Sequence, residues 1–281
     1  MIPRLLPTFV VALSISILGT LWAWVALADI AGIPTVRSDW LLADSPLPLL
    51  WYALFSEGRA VEMAQWGLLF CSTLLATGWW LSHLKSTPAA IRVPFLLLAS
   101  ALLLMLVEDS LNLRHVVAND YLPLLHSLLP FTERFVSRLT WELFFYSVLS
   151  AMMLGAVAAI ILRYRPRLET LVWLSLAFVI YGSVAFGSAM RRVGDWQERL
   201  GTWLMERLDL YALPHWQDTL AIMEQSRANN ENYTFTLEYL LVDHLLEESV
   251  ELIAASLLLA ALLSLSRDIH QSRTTSMRHP L

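Results

Sequence analysis

Long apolar runs alternate along the chain with short charged boundaries. Six runs have the length of a membrane span: Leu5 to Ala28, Met63 to Leu84, Val93 to about Asn112, Leu143 to Leu162, Thr170 to Met190 and about Glu247 to Ser266. A helix needs about 20 largely apolar residues to cross a bilayer. The pattern therefore predicts an all-α, polytopic membrane protein with a six-helix transmembrane bundle, residues 1–281 forming a single integral membrane domain. Arg4, the first run and Ala26-Leu27-Ala28 also imitate a secretory signal. That run is about 24 residues, where signal sequences have about 7–15, which favours a retained span. Cleavage would leave five spans in the same orientation.

Two connecting segments have structure of their own. Residues 29–61 hold Pro34, Pro46 and Pro48 and the pair Trp51 and Tyr52, side chains suited to a membrane interface. Residues 193–242 carry Trp196, Leu200, Trp203, Leu204, Leu208 and Tyr211 at helical spacing, with Glu198, Arg199, Glu206 and Arg207 elsewhere around the helix. This predicts extra amphipathic helices on the outer side, packed over the membrane domain as a lid or lying flat on the interface. Asn232-Tyr233-Thr234 fits a glycosylation sequon, but a three-residue pattern is a weak signal.

Composition narrows the class. Hydrophobic residues are 57% and charged residues 15%, whereas a soluble domain carries about 25% charge. The net charge of −5 and the lack of a basic block exclude a nucleic-acid partner and leave membrane lipids as the expected one. Cys71 is the single cysteine, so no intrachain disulfide or CxxC metal motif exists. Arginine outnumbers lysine 18 to one, a bias of GC-rich bacterial genomes. Arg4, Lys85, Arg92, Arg163, Arg165, Arg167, Arg267, Arg273 and Arg278 share one side with two acids, Glu169 and Asp268; the other side holds ten Arg and 22 acids. The positive-inside rule makes the first side cytoplasmic. The expected location is the bacterial cytoplasmic (inner) membrane, with both termini cytoplasmic and the acidic side facing the periplasm.

Ionisable residues within or bordering spans are functional candidates, because each charge in hydrocarbon costs about 3 kcal/mol on insertion scales. His244, Glu247, Glu248 and Glu251 stand at i, i+3, i+4 and i+7 on span six. Glu108, Asn112 and His115 stand at i, i+4 and i+7 on span three, provided its helix continues. Such spacings share one helical face. Arg92 to Glu108 and Arg267 to Glu251 are both 16 residues, which sets each glutamate roughly 24 Å above the inner anchors, beneath the outer edge of a core about 30 Å thick. The two helices run oppositely, so the ladders match in space. Glu62 and Glu142 begin spans two and four at the same boundary.

Carboxylates and histidines on facing helices are how helical bundles hold paired divalent metals. The predicted metal ligands are Glu108, His115, His244, Glu248 and Glu251, with Glu62 or Glu142 completing the shell and Asp109, Asn112, Arg114 and Glu247 around them. The order His244-x-x-Glu247 and the spacing of seven depart from the Glu-x-x-His of di-iron carboxylate bundles; only the ingredients are alike. The leading expectation is a metal-dependent membrane enzyme, hydrolase or oxidase, that uses a divalent metal ion on a lipid- or isoprenoid-like substrate. One alternative is a cation- or proton-coupled transporter using the same carboxylates, although no acid lies in the inner half of any span. Another is a structural scaffold in which Arg114, Arg191 and Arg192 neutralise the acids. His83, His126 and His215 are expected at the surface or interface.

Overall fold

The computed structural model describes residues 3–37, 39–43, 45–83, 88–129, 136–190, 194–229 and 235–278, and no strand occurs among them. The α-helices in chain order are α1 (Leu6–Val25), α2 (Asp39–Leu42), α3 (Leu50–Phe55), α4 (Ala60–His83), α5 (Ala89–Leu111), α6 (Leu113–Val116), α7 (Leu122–Leu128), α8 (Arg138–Tyr164), α9 (Leu168–Ala189), α10 (Trp196–Arg207), α11 (Pro214–Asn229), α12 (Leu237–Leu240) and α13 (Glu248–Arg278). Three π-helical segments interleave with them: Ala26–Ile30 extends α1, Val117–Tyr121 leads into α7, and Leu241–Glu247 joins α12 to α13.

Five helices among the described residues are long and apolar enough to cross a membrane: Leu6–Ile30, Ile91–Leu111, Leu139–Tyr164, Leu168–Ala189 and Leu237–Gln271. The chain is an all-α integral membrane protein. The sixth predicted span, α4, has the length but not the hydropathy, because Gln65, Trp66, Ser72, Thr73, Thr77, Trp79 and Trp80 dilute its apolar run. Phe9, Leu13 and Ile17 form an exposed stripe along α1, and Val172, Leu176, Val179 and Phe186 are exposed on α9. Water penalises apolar surface of this extent; hydrocarbon does not. The last spanning helix is instead mostly buried. Its Ala254, Ala255, Ala260 and Ala261 have the small side chains that permit close helix approach in membranes.

The chain divides into two compact units, one of Met1–Val11, Gln65–Met190 and Ala254–Leu281, the other of Ala12–Ala64 and Arg191–Ile253. In the first unit α5 packs along α8, and α8 meets α9. The same unit contains a buried polar network. Arg267, 6% exposed, donates from Nη2 to Glu169 at 2.8 Å and to Ser264 Oγ at 3.1 Å. Asp268, 5% exposed, accepts from Thr170 Oγ1 at 2.8 Å and from the Arg167 amide at 3.0 Å, with the Arg167 guanidinium at 3.7 Å. Buried charges persist when paired and hydrogen-bonded; both groups have such partners, and Arg267 Nε alone of the guanidinium nitrogens makes no hydrogen bond among the described residues.

His83 corrects the expectation of a surface or interfacial histidine. It is buried: Nδ1–H donates to the Trp79 carbonyl at 2.6 Å, Nε2 accepts from the Tyr164 hydroxyl at 3.2 Å, and the ring stacks on Phe95 at 4.7 Å. With both nitrogens satisfied, the imidazole can enter the core without an orphaned polar atom.

Candidate functional site

The second unit is organised around a short buried helix. Leu49, Leu50, Trp51 and Phe55 have no exposed surface, so the first amides of α3 lie away from water and need acceptors. Asp29, 1% exposed on the π-helical segment after α1, supplies both: Oδ1 accepts from the Leu50 amide at 3.0 Å and Oδ2 from the Trp51 amide at 2.8 Å. Its own carbonyl lies at a helix C-terminus, where carbonyls lack backbone donors. It accepts from Trp216 Nε1 at 2.7 Å and from His215 Nε2 at 2.6 Å. Asp29 thereby ties three sequence-distant segments together. The pattern of apolar runs ends the first span at Ala28 and passes over it; the available signal was a carboxylate directly abutting an apolar run.

A pocket of about 60 Å3 lies among these elements, lined by Trp22, Trp51, Trp216, Leu204, Leu245 and further Val, Ile and Leu residues. Every lining residue is aliphatic or Trp. The π-helical segments contribute Ile30 on one side and Leu241, Leu245 and Leu246 on another. Bonding from i to i+5, as from the Ala31 amide to the Ala26 carbonyl at 2.8 Å, widens a helix, and such turns are frequent at functional sites. The indole of Trp22 donates to Ser249 Oγ at 2.9 Å and that of Trp216 to Asp29, whereas Trp51 Nε1 has no partner among the described residues.

A row of rings runs through this unit. Trp216 stacks on Trp51 at 6.3 Å, Tyr52 meets Trp51 edge-on at 5.6 Å, and His244 meets Tyr52 edge-on at 5.5 Å. His244 is 7% exposed. Its nitrogens make no hydrogen bond among the described residues, and neither is sealed off in the manner of Trp51 Nε1. No family model, curated protein or solved structure matches the chain.

The predicted metal donors are distributed between the units. Glu108, Asp109, Asn112 and Glu142 belong to the first; Glu62, His244, Glu247, Glu248 and Glu251 belong to the second. Among the described residues no three His, Cys, Asp or Glu side chains stand where they could hold a metal ion. The span-three ladder is interrupted, because α5 stops at Leu111 and Asn112 takes a left-handed cap conformation, φ 48° and ψ 38°. Asn tolerates that conformation through local hydrogen bonding, and the helical face does not run on from Glu108 to His115. The span-six stripe is also redirected, since His244 and Glu247 lie on the π-helical segment rather than on an α-helix.

Several of these carboxylates have identifiable local partners. Glu62 reaches back to the Gly58 amide in the manner of a capping box. Asp109 accepts from Gln65 Nε2 at 2.9 Å, and Gln197 Nε2 donates to Asp243 at 3.4 Å and Glu247 at 3.2 Å. Glu108, Glu142 and Glu248 are buried and Glu251 is half-buried. His126 donates to the Val136 carbonyl at 2.9 Å. The side chains of Arg114 and His115 lie outside the described residues, as do Lys85, Arg191, Arg192 and Asn232-Tyr233-Thr234.

The amphipathic helix exists as α10, but its inward face differs from the predicted one. Gln197, Gly201 and Met205 are buried, while Trp203 is 52% and Leu208 46% exposed. The Arg207 guanidinium lies 5.9 Å from the centre of the Trp203 ring, a cation–π contact. Leu204 and Leu208 still line the pocket. Tyr211 donates to Glu238 at 2.7 Å; burial, then this acceptor and its charge, push the phenol above its ordinary value.

Proposed function

We propose that this is a multi-pass protein of the bacterial cytoplasmic membrane, with both termini inside, whose unit of residues 12–64 and 191–253 holds a short stretch of the apolar chain of a lipid-like ligand on the periplasmic side. The observation that carries this reading is the pocket, whose lining is entirely aliphatic and indole. Such a lining offers dispersion and desolvation but no polar recognition, so it selects hydrocarbon. Trp22, Val25 and Ile30 in its wall belong to the far end of a membrane-spanning helix, roughly 27 to 39 Å along the helix from Arg4 at about 1.5 Å per residue. A lipid chain is the hydrocarbon available there.

The test is photocrosslinking of the full-length protein in membranes with a phospholipid carrying a diazirine near the end of its acyl chain. Label is expected on residues 204–216 and 241–246, and is expected to disappear in Leu245→Trp, which fills the pocket. Label confined to the Phe9, Leu13 and Ile17 stripe would overturn the reading, because those residues only report surrounding bilayer.

A further inference from the structure

We infer that the ligand is a glycerolipid whose acyl ester carbonyl accepts a hydrogen bond from His244, an assignment that rests on the lipid-binding function proposed above. The pocket wall supplies no donor or acceptor and so cannot tell one chain from another by polar contact. His244 does not itself line the pocket, but it stands close to the wall. It shares its π-helical segment with the lining residues Leu241 and Leu245, and a single ring, Tyr52, separates it from Trp51 of the pocket wall, with separations of 5.5 and 5.6 Å. A neutral imidazole always carries one N–H donor, and a buried donor without an acceptor costs about 1–3 kcal/mol. That of His244 has no acceptor among the described residues while remaining reachable.

The neighbours of His244 decide which acceptor fits. The charged groups acting on it are the carboxylates of Asp243 and Glu57. They repel a phosphate or a free fatty-acid carboxylate brought to the same place, and they tolerate a neutral carbonyl. An ester carbonyl at the root of an acyl chain combines a neutral acceptor with a hydrocarbon tail. An alkyl ether or a polyprenyl chain lacks that carbonyl.

The decisive comparison is native mass spectrometry of the delipidated full-length protein with dioleoyl phosphatidylcholine, its diether analogue and oleate. The diester is expected to bind about three- to tenfold more tightly than the diether, the range of one neutral hydrogen bond, and oleate more weakly than the diester. His244→Phe is expected to bring the diester down to the diether level, and His244→Gln to keep part of the preference. Equal binding of the two lipids to wild type, a preference undiminished in His244→Phe, or oleate binding above the diester overturns the assignment and leaves lipid binding standing. Failure of both lipids to bind, or binding unaffected by Leu245→Trp, overturns the lipid reading beneath it. Should His244→Phe fail to fold, the wild-type diester-to-diether ratio and the oleate arm decide.

Discussion

Asp29 holds α3 through two hydrogen bonds accepted from backbone amides, where apolar contact alone would leave two buried amides unanswered. Asp29→Ala is expected to destabilise the detergent-solubilised protein by about 3 kcal/mol, and Asp29→Asn by about half of that, since an amide retains one acceptor oxygen. Thermal unfolding measures the loss; hydrogen exchange at the Leu50 and Trp51 amides locates it. The metal question also belongs to single residues. The described residues gather no three donors, and the side chain of the predicted ligand His115 lies outside them, so metal analysis of purified protein beside Glu108→Ala and His244→Ala tests the metal-dependent reading: a full equivalent lost in either variant supports it, and unchanged sub-stoichiometric metal in all three overturns it. Tyr211 gives a pH dependence. Its folded-state value is raised, so as pH climbs past about 10 the unfolded chain releases this proton before the folded one does. The contribution to stability is intact below that pH and falls above it. Tyrosinate absorbance is expected to lag in wild type relative to Glu238→Gln, and the alkaline loss attributable to this group to vanish in Tyr211→Phe.

At the scale of elements, Gly201 is the tightest constraint. A Cβ there would overlap the backbone of Glu238, because α10 and α12 pack at that point. Gly201→Ala is expected to cost about 2–3 kcal/mol by overpacking, whereas Gly155→Ala in α8, with open space around it, is expected to be neutral or stabilising by up to about 1 kcal/mol; detergent thermal melts of the two variants separate the cases. This contrast also explains what the sequence revealed. The runs at 143–162 and 170–190 match α8 (Arg138–Tyr164) and α9 (Leu168–Ala189), because lipid imposes length and hydrophobicity on every spanning segment regardless of partners. The inward face of α10 depended on a close backbone approach that no apolar periodicity records. The π-helical segments shift the register by one residue without altering composition, so the polar stripe through His244 and Glu251 looked α-helical. Asp29 was invisible for a related reason: its partners lie at Leu50, Trp51, His215 and Trp216, brought to it only by the fold.

For the whole molecule the outstanding quantity is parity. Five crossings place the termini on opposite sides of the membrane and six place them on the same side, so the proposed orientation with both termini inside calls for a sixth crossing. The candidate for it is α4. Several of its polar atoms are already paired within the protein: Gln65 bonds Asp109, Trp79 bonds Ser266 at 3.2 Å, and Ser72 and Thr73 bond back to the carbonyls of Leu68 and Leu69, whereas Trp66 Nε1 has no partner among the described residues. Such pairing removes much of the cost of carrying polar side chains into hydrocarbon. The single cysteine tests this without mutation. Cys71 is exposed near the middle of α4, about 18 Å from either end at about 1.5 Å per residue. If α4 crosses, Cys71 faces acyl chains. It is then expected to react with a lipophilic maleimide in intact cells and to resist a sulfonated, membrane-impermeant one in cells and in inverted vesicles alike. Reporter fusions at both termini are expected to read cytoplasmic in the same strain. Reaction of Cys71 with the impermeant reagent from either side, together with termini on opposite faces, would show that α4 stays out of the bilayer and that the Arg asymmetry is overridden in this chain.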